Sequence, residues 1–244
     1  MKFSEEADDP RRRLLIQALS AGLFSMGIPG ANAQVANIFG SRPGRLPANQ
    51  SIYRISGTAT VNDKPVTLQT RVNPGDTVKT GKDSELVFVV NTNAMILRGG
   101  SNVIIEAEKK QDSLVISGLR MLTGALLSVS RNTPMRVRSP TATVGIRGTG
   151  FYMEAEEDQT YFCTCYGSTS VASNTDPEST ENIVAKQHDR PVYIVKDGAK
   201  GKNIRNAPFI NHTDPELALI ETLVGREPAF VFPNEAYTAP RRNY

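Results

Sequence analysis

Short apolar segments recur along residues 52–171, and turn residues separate them at intervals of roughly eight to twelve residues. Such segments occupy 55–61, 66–70, 77–79, 86–90, 95–97, 103–105, 114–116, 126–129, 135–137, 144–146, 151–155 and 161–166. The turn residues Asn91, Thr92 and Asn93 stand between two of them. Long helical periodicity is absent. The pattern predicts an all-β domain over residues 51–173.

The C-terminal part has a different pattern. Residues 174–209 are expected to form a polar loop, one extra strand at 191–195, and a second loop. Thr213 and Glu216 have the spacing of a capping box, and Gly225 is placed to end a helix. We therefore expect one helix within 210–226 and an extended tail over 227–244.

The first 33 residues indicate export from the cytoplasm. A basic start is followed by a short apolar stretch broken by Gly and Pro, and a small-residue cleavage site follows it at Ala31 and Ala33. The sequence Arg11-Arg12-Arg13-Leu14-Leu15 is similar to a twin-arginine signal. An ordinary secretory signal or a cytosolic amphipathic helix are the alternatives. Residues 34–50 have the Gly, Pro and Asn content of a linker, and the predicted location is the periplasm.

Composition narrows the possible partners. The chain has 244 residues and a formal net charge of +3, with positive and negative residues interspersed. No basic stripe suggests nucleic-acid binding, although weak attraction to anionic glycans or lipid remains open. After signal cleavage no apolar stretch is long enough to span a membrane.

The two cysteines are the strongest candidates for chemistry. Cys163 and Cys165 lie two apart in a strand-like segment, so their side chains share a face. Thiolates suit a soft metal such as Cu or Zn, and the only histidines, His188 and His212, would complete a tetrahedral set. A disulfide or a pair of inert core thiols are the alternatives. The sequence leaves the convergence of the four residues undecided.

Three stretches resemble the FecR family: 72–81, which contains Gly75-Asp76 and Thr80-Gly81; the following strand at 83–88; and 139–151, with the sequence Ser-Pro-Thr-Ala-Thr-Val-Gly-Ile-Arg-Gly-Thr-Gly-Phe. The resemblance extends over about 65–171. It implies a β-solenoid or a twisted antiparallel sheet, and a role in envelope signalling. The anti-sigma segment and the membrane span of the best-known members are not recognisable here.

The residues of these motifs also have a direct physical interpretation. Gly75, Asp76 and Gly81 supply turn geometry, and Gly148 permits a bulge or a close backbone approach beside Thr149. Arg147 offers a fork of donors, for which a structural cross-link between turns is favoured over contact with a ligand.

No motif of a conventional enzyme is present. The acidic residues Glu154, Glu156, Glu157 and Asp158 are interpreted as a solvated turn. The favoured hypothesis is a periplasmic regulatory or binding module that contacts an envelope protein. A metal-binding or redox protein is the second hypothesis, and a glycan-binding envelope protein is the third.

Overall fold

A computed structural model describes residues 44–111, 113–130 and 134–227. The expected signal peptide, with Arg11, Arg12, Arg13, Ala31 and Ala33, lies outside these residues, as do most of the expected linker and tail.

Within these residues the chain is mostly β, with one short helix. The strands are β1 (Ile52–Ser56), β2 (Ala59–Val61), β3 (Lys64–Pro65), β4 (Thr77–Thr80), β5 (Glu85–Val90), β6 (Asn93–Leu97), β7 (Asn102–Lys110), β8 (Ser113–Val129), β9 (Met135–Arg138), β10 (Ala142–Ala155), β11 (Gln159–Ser173), β12 (Thr180–Ala185), β13 (Val192–Val195) and β14 (Ile204–Asn206), and the helix α1 is Asp214–Leu223. The predicted all-β fold class with one C-terminal helix is confirmed.

The described strands form one open, twisted sheet. Its main path runs β14-β13-β11-β10-β9-β8-β7-β4-β2-β3, and β1, β5, β6 and β12 pair beside that path. Neighbours are antiparallel except for β8 and β9, which are parallel. The long central strands bend at register shifts, such as those near Arg147 and Gly150, so one strand pairs with different partners along its length.

Several predicted boundaries were wrong. The segment 55–61 is interrupted at Gly57, which has a φ of +73°, and the segment 66–70 is a turn rather than a strand. Two pairs of apolar segments that the pattern separated belong to single strands: 114–116 and 126–129 lie in β8, and 144–146 and 151–155 lie in β10. The two predicted loops each contain a strand, β12 and β14, whose polar residues lie on exposed sheet positions.

The sheet has a core on each face. One core contains Val78, Leu86, Phe88, Leu119 and other aliphatic side chains. The second lies between the opposite face and α1, where Leu217, Ile220 and Leu223 pack near β5, β6 and β8. Helix α1 begins at the predicted capping box, in which the Thr213 N–H donates to Glu216 Oε2 at 3.0 Å. Gly225 follows the helix with a φ of +71°, as its placement predicts.

Among the described helical residues, no segment has the length and apolar character needed to cross a membrane.

Candidate metal centre

Strand β11 places Cys163 and Cys165 on one face of the sheet. Both are free thiols with 0% of their surface exposed. Their side chains point into the core under α1, since alternate residues of a strand share a face. The expected common orientation of the two sulfurs therefore corresponds to the structure.

His188 is brought over the cysteines by the connection between β12 and β13. Both strands pair with β11, β12 beyond the cysteines at Gly167 and β13 before them at Phe162. The connecting loop must therefore pass across the intervening part of β11. His188 holds this position with a left-handed φ of +51°, and its backbone N–H donates to the Cys165 carbonyl at 2.9 Å.

His212 arrives from the opposite direction, in the segment that leads into α1. Its ring stacks on Tyr152 of β10 with centroids 4.5 Å apart, and it contacts Phe209 edge-on. Its Nδ1 lies 2.7 Å from the Ile210 carbonyl. Because that carbonyl accepts only, Nδ1 carries the proton in the neutral ring, which leaves Nε2 as the nitrogen that can bind a ligand in the cluster.

The four side chains offer ligand atoms that all lie within 4.8 Å of one another, and all four residues are buried. His212 Nε2 lies 3.1 Å from His188 Nδ1, and Cys163 Sγ lies 3.4 Å from the same nitrogen. Ligand atoms around a tetrahedral Zn²⁺ are separated by about 3.3–3.8 Å, given its bond lengths to nitrogen and sulfur. The structure thus brings together all four residues that the sequence singled out.

Asp214 supports the cluster from behind. Its Oδ1 lies 2.8 Å from His188 Nε2, and its Oδ2 accepts a hydrogen bond from Gln187 Nε2 at 2.8 Å. Metal-binding histidines characteristically donate their outer N–H to a carboxylate or a backbone carbonyl. The acceptor behind His188 is the Asp214 carboxylate, and the acceptor behind His212 is the Ile210 carbonyl. Both rings are consequently held with their inner nitrogens directed at the cysteines.

The charges inside the cluster are strongly coupled. Burial raises the pKa of Cys163, but hydrogen bonds from Cys165 and His188 outweigh it, and the pKa falls well below its usual range. Burial and the Cys163 sulfur raise the pKa of Cys165. Burial lowers the pKa of His188, but Cys163 and Asp214 reverse that effect and leave the pKa raised. The arrangement therefore favours one thiolate and a positive charge beside it, a charge that a bound cation could supply.

Cys163, His188 and Asp214 also follow the order of a thiol nucleophile, its base and an orienting carboxylate. Burial argues against that role. Cys163 and Asp214 are 0% exposed, so a substrate cannot reach Sγ unless the surrounding structure opens. Cys165 and His212 have no part in such a triad, whereas a tetrahedral metal site uses all four side chains.

Two features of the site escaped sequence reasoning. Asp214 was not identified, because an acidic residue in the first turn of a helix is already explained by the helix dipole. The local signal that could have identified Asp214 was its position two residues after the candidate ligand His212. Glu154 was expected in a solvated turn, but it is buried and accepts hydrogen bonds from Tyr152 (2.8 Å) and Asn211. Glu156, Glu157 and Asp158 are exposed, as predicted.

The motif residues Gly75, Asp76 and Gly81 belong to turns and close backbone approaches. Gly75 has a φ of +101°, and Asp76 next to it accepts hydrogen bonds from the Asn73 N–H and from Asn62 Nδ2, both at 2.7 Å. A side chain at Gly81 would meet Thr58 Oγ1 at 2.3 Å. The turn and close-approach interpretation of these residues agrees with the structure.

Arg147 differs from its expected role. It is exposed, and it makes no ion pair or side-chain hydrogen bond within the described residues, so it does not cross-link turns there. Gly148 beside it has a φ of +63°, which fits a bulge, and Thr149 is fully buried.

Comparison with known proteins identifies one family. The family model described as FecR protein matches residues 76–169, which confirms the resemblance seen in the sequence. No curated protein sequence matches the chain. Cys163 and Cys165 fall inside the matched region, whereas His188, His212 and α1 follow it.

Two crystal structures of a protein provisionally described as an anti-sigma factor from Parabacteroides distasonis ATCC 8503 are similar to the chain. The 1.65 Å structure has 15% identity and a TM-score of 0.42, over 60% of this chain and 74% of that one. The 2.50 Å structure has 16% identity and a TM-score of 0.43, over 69% and 84%.

Proposed function

We propose that this chain is an exported FecR-like regulatory module that holds a soft metal ion, Zn or Cu, in a site formed by Cys163, Cys165, His188 and His212. The observation that carries the proposal is the convergence of these four ligand atoms within 4.8 Å in the buried core. The orientation of both imidazoles by acceptors behind them supports it.

The regulatory part of the proposal rests on the FecR match over residues 76–169. We propose the periplasm as the compartment, because residues 11–33 have the pattern of an export signal. An envelope protein is the proposed partner. The proposed role is non-enzymatic, since the Cys163, Cys165, His188 and His212 cluster is buried among the described residues and offers no open approach for a substrate.

Charge balance favours a divalent ion. Two thiolates and two neutral imidazoles carry two negative charges, which Zn²⁺ neutralises, and Cu⁺ would leave one negative charge buried beside Asp214. Buried uncompensated charge is costly. A closed tetrahedral set of four protein ligands is typical of a structural Zn site. Zn is accordingly the expected ion.

The test is elemental analysis of the protein purified from its native compartment. We expect about one Zn per chain, and we expect Cys163→Ser and His212→Ala to lower this content at least tenfold. Co²⁺ loading should give the charge-transfer absorption of a cobalt–thiolate bond. Thr164→Ser is the matched control, because Thr164 lies between the cysteines and is buried, with its hydroxyl bonded to Thr169. Metal content near zero in the wild type, or unchanged in Cys163→Ser, would reject the site.

A further inference from the structure

A cleft of about 680 Å³ crosses the sheet face formed by β7 to β12. One row of paired residues runs beneath it: Glu106 opposite Gly118, Gly118 opposite Arg136, Arg136 opposite Gly145, Gly145 opposite Ser170, and Ser170 opposite Asn182. The residues on either side of Arg136 in this row have small side chains or none: Gly118, Gly145 and Ser170. Six strands at about 4.8 Å spacing give a length of about 24 Å, which matches about seven residues of extended chain.

Gly145 has no conformational or packing reason to be glycine within the described structure. Its φ is not in the left-handed region, and a Cβ there would meet only Ser170, at 3.8 Å. Glycine in the interior of a strand is destabilising relative to alanine. Gly118 in the same row differs, because a Cβ there would meet the Arg136 carbonyl at 2.5 Å. The absence of a side chain at Gly145 therefore keeps the floor of the cleft open, as glycine does where a ligand approaches the backbone.

Some charged side chains around Gly145 have ion-pair partners among the described residues, and others do not. Glu106 at one end of the row accepts from Arg120 at 3.0 Å and from Arg138 at 3.2 Å. Arg136 is paired directly with Gly145, and Arg147 lies two residues along the same strand. Both are exposed, and within the described residues neither forms an ion pair. Two guanidinium groups therefore flank the open floor with donors suited to carboxylates.

The part of the cleft formed by β11 and β12 carries both polar and apolar side chains. Ser168 and Ser170 of β11 line it with hydroxyls, and the Asn182 amide can both donate and accept, as a peptide group requires. Val184, beside Asn182 on β12, is 76% exposed. A surface that alternates donors, an amide and an exposed valine matches a peptide with acidic and apolar side chains better than it matches a uniformly polar polymer.

We infer that this cleft binds an extended acidic peptide segment of a partner protein, with carboxylates on Arg136 and Arg147 and the peptide backbone over Gly145. The inference goes beyond the metal site and does not depend on it. It supplies a binding surface, with stated chemistry, for a module that is proposed to work through protein contacts.

The experiment uses the full-length exported protein as bait for a random octapeptide library displayed on phage, with the consensus peptide then measured by fluorescence anisotropy. We expect at least two Asp or Glu residues in the consensus. Arg136→Gln and Arg147→Gln should each weaken binding about tenfold, and Gly145→Leu should abolish it by filling the floor. Arg205→Gln, an exposed arginine on β14, is the control and should bind like the wild type.

Three results would overturn the inference. One is a selection without acidic enrichment, and another is undiminished binding by the Arg136→Gln/Arg147→Gln double variant. The third is preference for a polyuronate over the selected peptide, which would point to a glycan. If the melting temperature of Gly145→Leu is well below that of the wild type, its binding result is set aside. Peptide binding by the double arginine variant then tests the inference alone, because both arginines are exposed and their loss leaves the core intact.

Discussion

At the residue scale, the cluster around Cys163 shows how a single buried carboxylate can control a site. Asp214 contacts His188 through the nitrogen that faces away from the cysteines. Its charge increases the electron density on the inner nitrogen and fixes the ring orientation. The side chain is fully buried, so solvent does not screen the effect.

Asp214→Asn is expected to weaken metal affinity by about 10- to 100-fold while retaining the shape of the side chain. Competition with a chromophoric chelator measures this change. Glu216→Gln is the control, since Glu216 lies in the same first turn of α1 and bonds Thr213 and Arg98, neither of which is a candidate ligand. Equal losses of affinity in both variants would mean that the helix turn, rather than the carboxylate, is responsible.

Glu85 is the clearest case of pH-dependent stability outside the cluster. It lies between Arg54 and Arg98, and Arg98 also contacts Glu216 at 2.8 Å. Burial raises the pKa of Glu85, but Arg98 and Arg54 outweigh it and leave the pKa below its usual range. A lowered folded-state pKa stabilises the protein above the unfolded pKa, and this contribution disappears as pH falls through the folded value.

Glu85→Gln should therefore lower the free energy of unfolding at pH 7 by about 1–3 kcal/mol, because Arg98 would keep a buried guanidinium with one partner fewer. The difference from the wild type should shrink as pH falls below the unfolded-state pKa of a glutamate, about 4.3, and should disappear below the lower folded-state pKa. Urea unfolding across pH measures it. Glu157→Gln, in the exposed β10–β11 turn, is the comparison. A difference that persists at low pH would show that packing, not charge, causes the loss.

At the element scale, α1 is attached to the sheet by buried polar contacts as well as by apolar packing. The Tyr166 hydroxyl of β11 donates to Glu221, which is 0% exposed, and Arg98 contacts Glu216. Tyr166 also fills the space above Gly150. The position of the helix thus depends on a glycine in β10, a strand that pairs with both β8 and β11.

Gly150→Ala tests this dependence. A Cβ there would lie 2.5 Å from the Tyr166 ring, so the ring must move and its bond to Glu221 weakens. We expect a loss of about 1–3 kcal/mol in the free energy of unfolding, measured in urea. Gly145→Ala on the same strand has room for its methyl group and should be neutral or stabilising by up to about 1 kcal/mol. Equal effects of the two alanines would contradict the packing argument.

Sequence reasoning succeeded where a local pattern determines the element. The capping box at Thr213, the turn at Asn91 and the strand character of 161–166 need only neighbouring residues, and all three are present. It failed for β12 and β14, because short polar edge strands are stabilised by their partners rather than by their own composition.

The candidate site likewise has one part that local sequence predicts and another that it does not. The shared orientation of Cys163 and Cys165 follows from strand alternation and could be predicted. The approach of His188 depends on β12 and β13 pairing with different parts of β11, and that of His212 depends on α1 docking. Neither long-range arrangement has a local signal in the chain.

At the scale of the whole molecule, the proposed metal would connect the C-terminal segment to the sheet. Of the four candidate ligands, only His212 belongs to the segment that leads into α1. Removing the ion should therefore loosen residues 208–224 more than the β7–β8 hairpin, which has its own core contacts.

Hydrogen exchange of holoprotein and chelator-treated protein measures this difference. We expect amide exchange within 208–224 to become at least about tenfold faster without metal, and exchange in β7 and β8 to stay nearly constant. Chelator should have no such effect on Cys163→Ser. Equal acceleration of exchange in all strands and in α1 would show that the ion stabilises the whole fold. Unchanged exchange rates in a protein shown to contain metal would show that contacts other than the metal hold the helix.

Complete burial of the ligand atoms has a consequence for how an ion is chosen. A metal in this buried site would exchange only as fast as the surrounding chain opens, so its identity would be set by kinetics rather than by the affinity order of the free ions. Whichever suitable ion is available when residues 208–224 first close over β11 would be retained. The metal found in the mature protein would then record the compartment in which the chain folded.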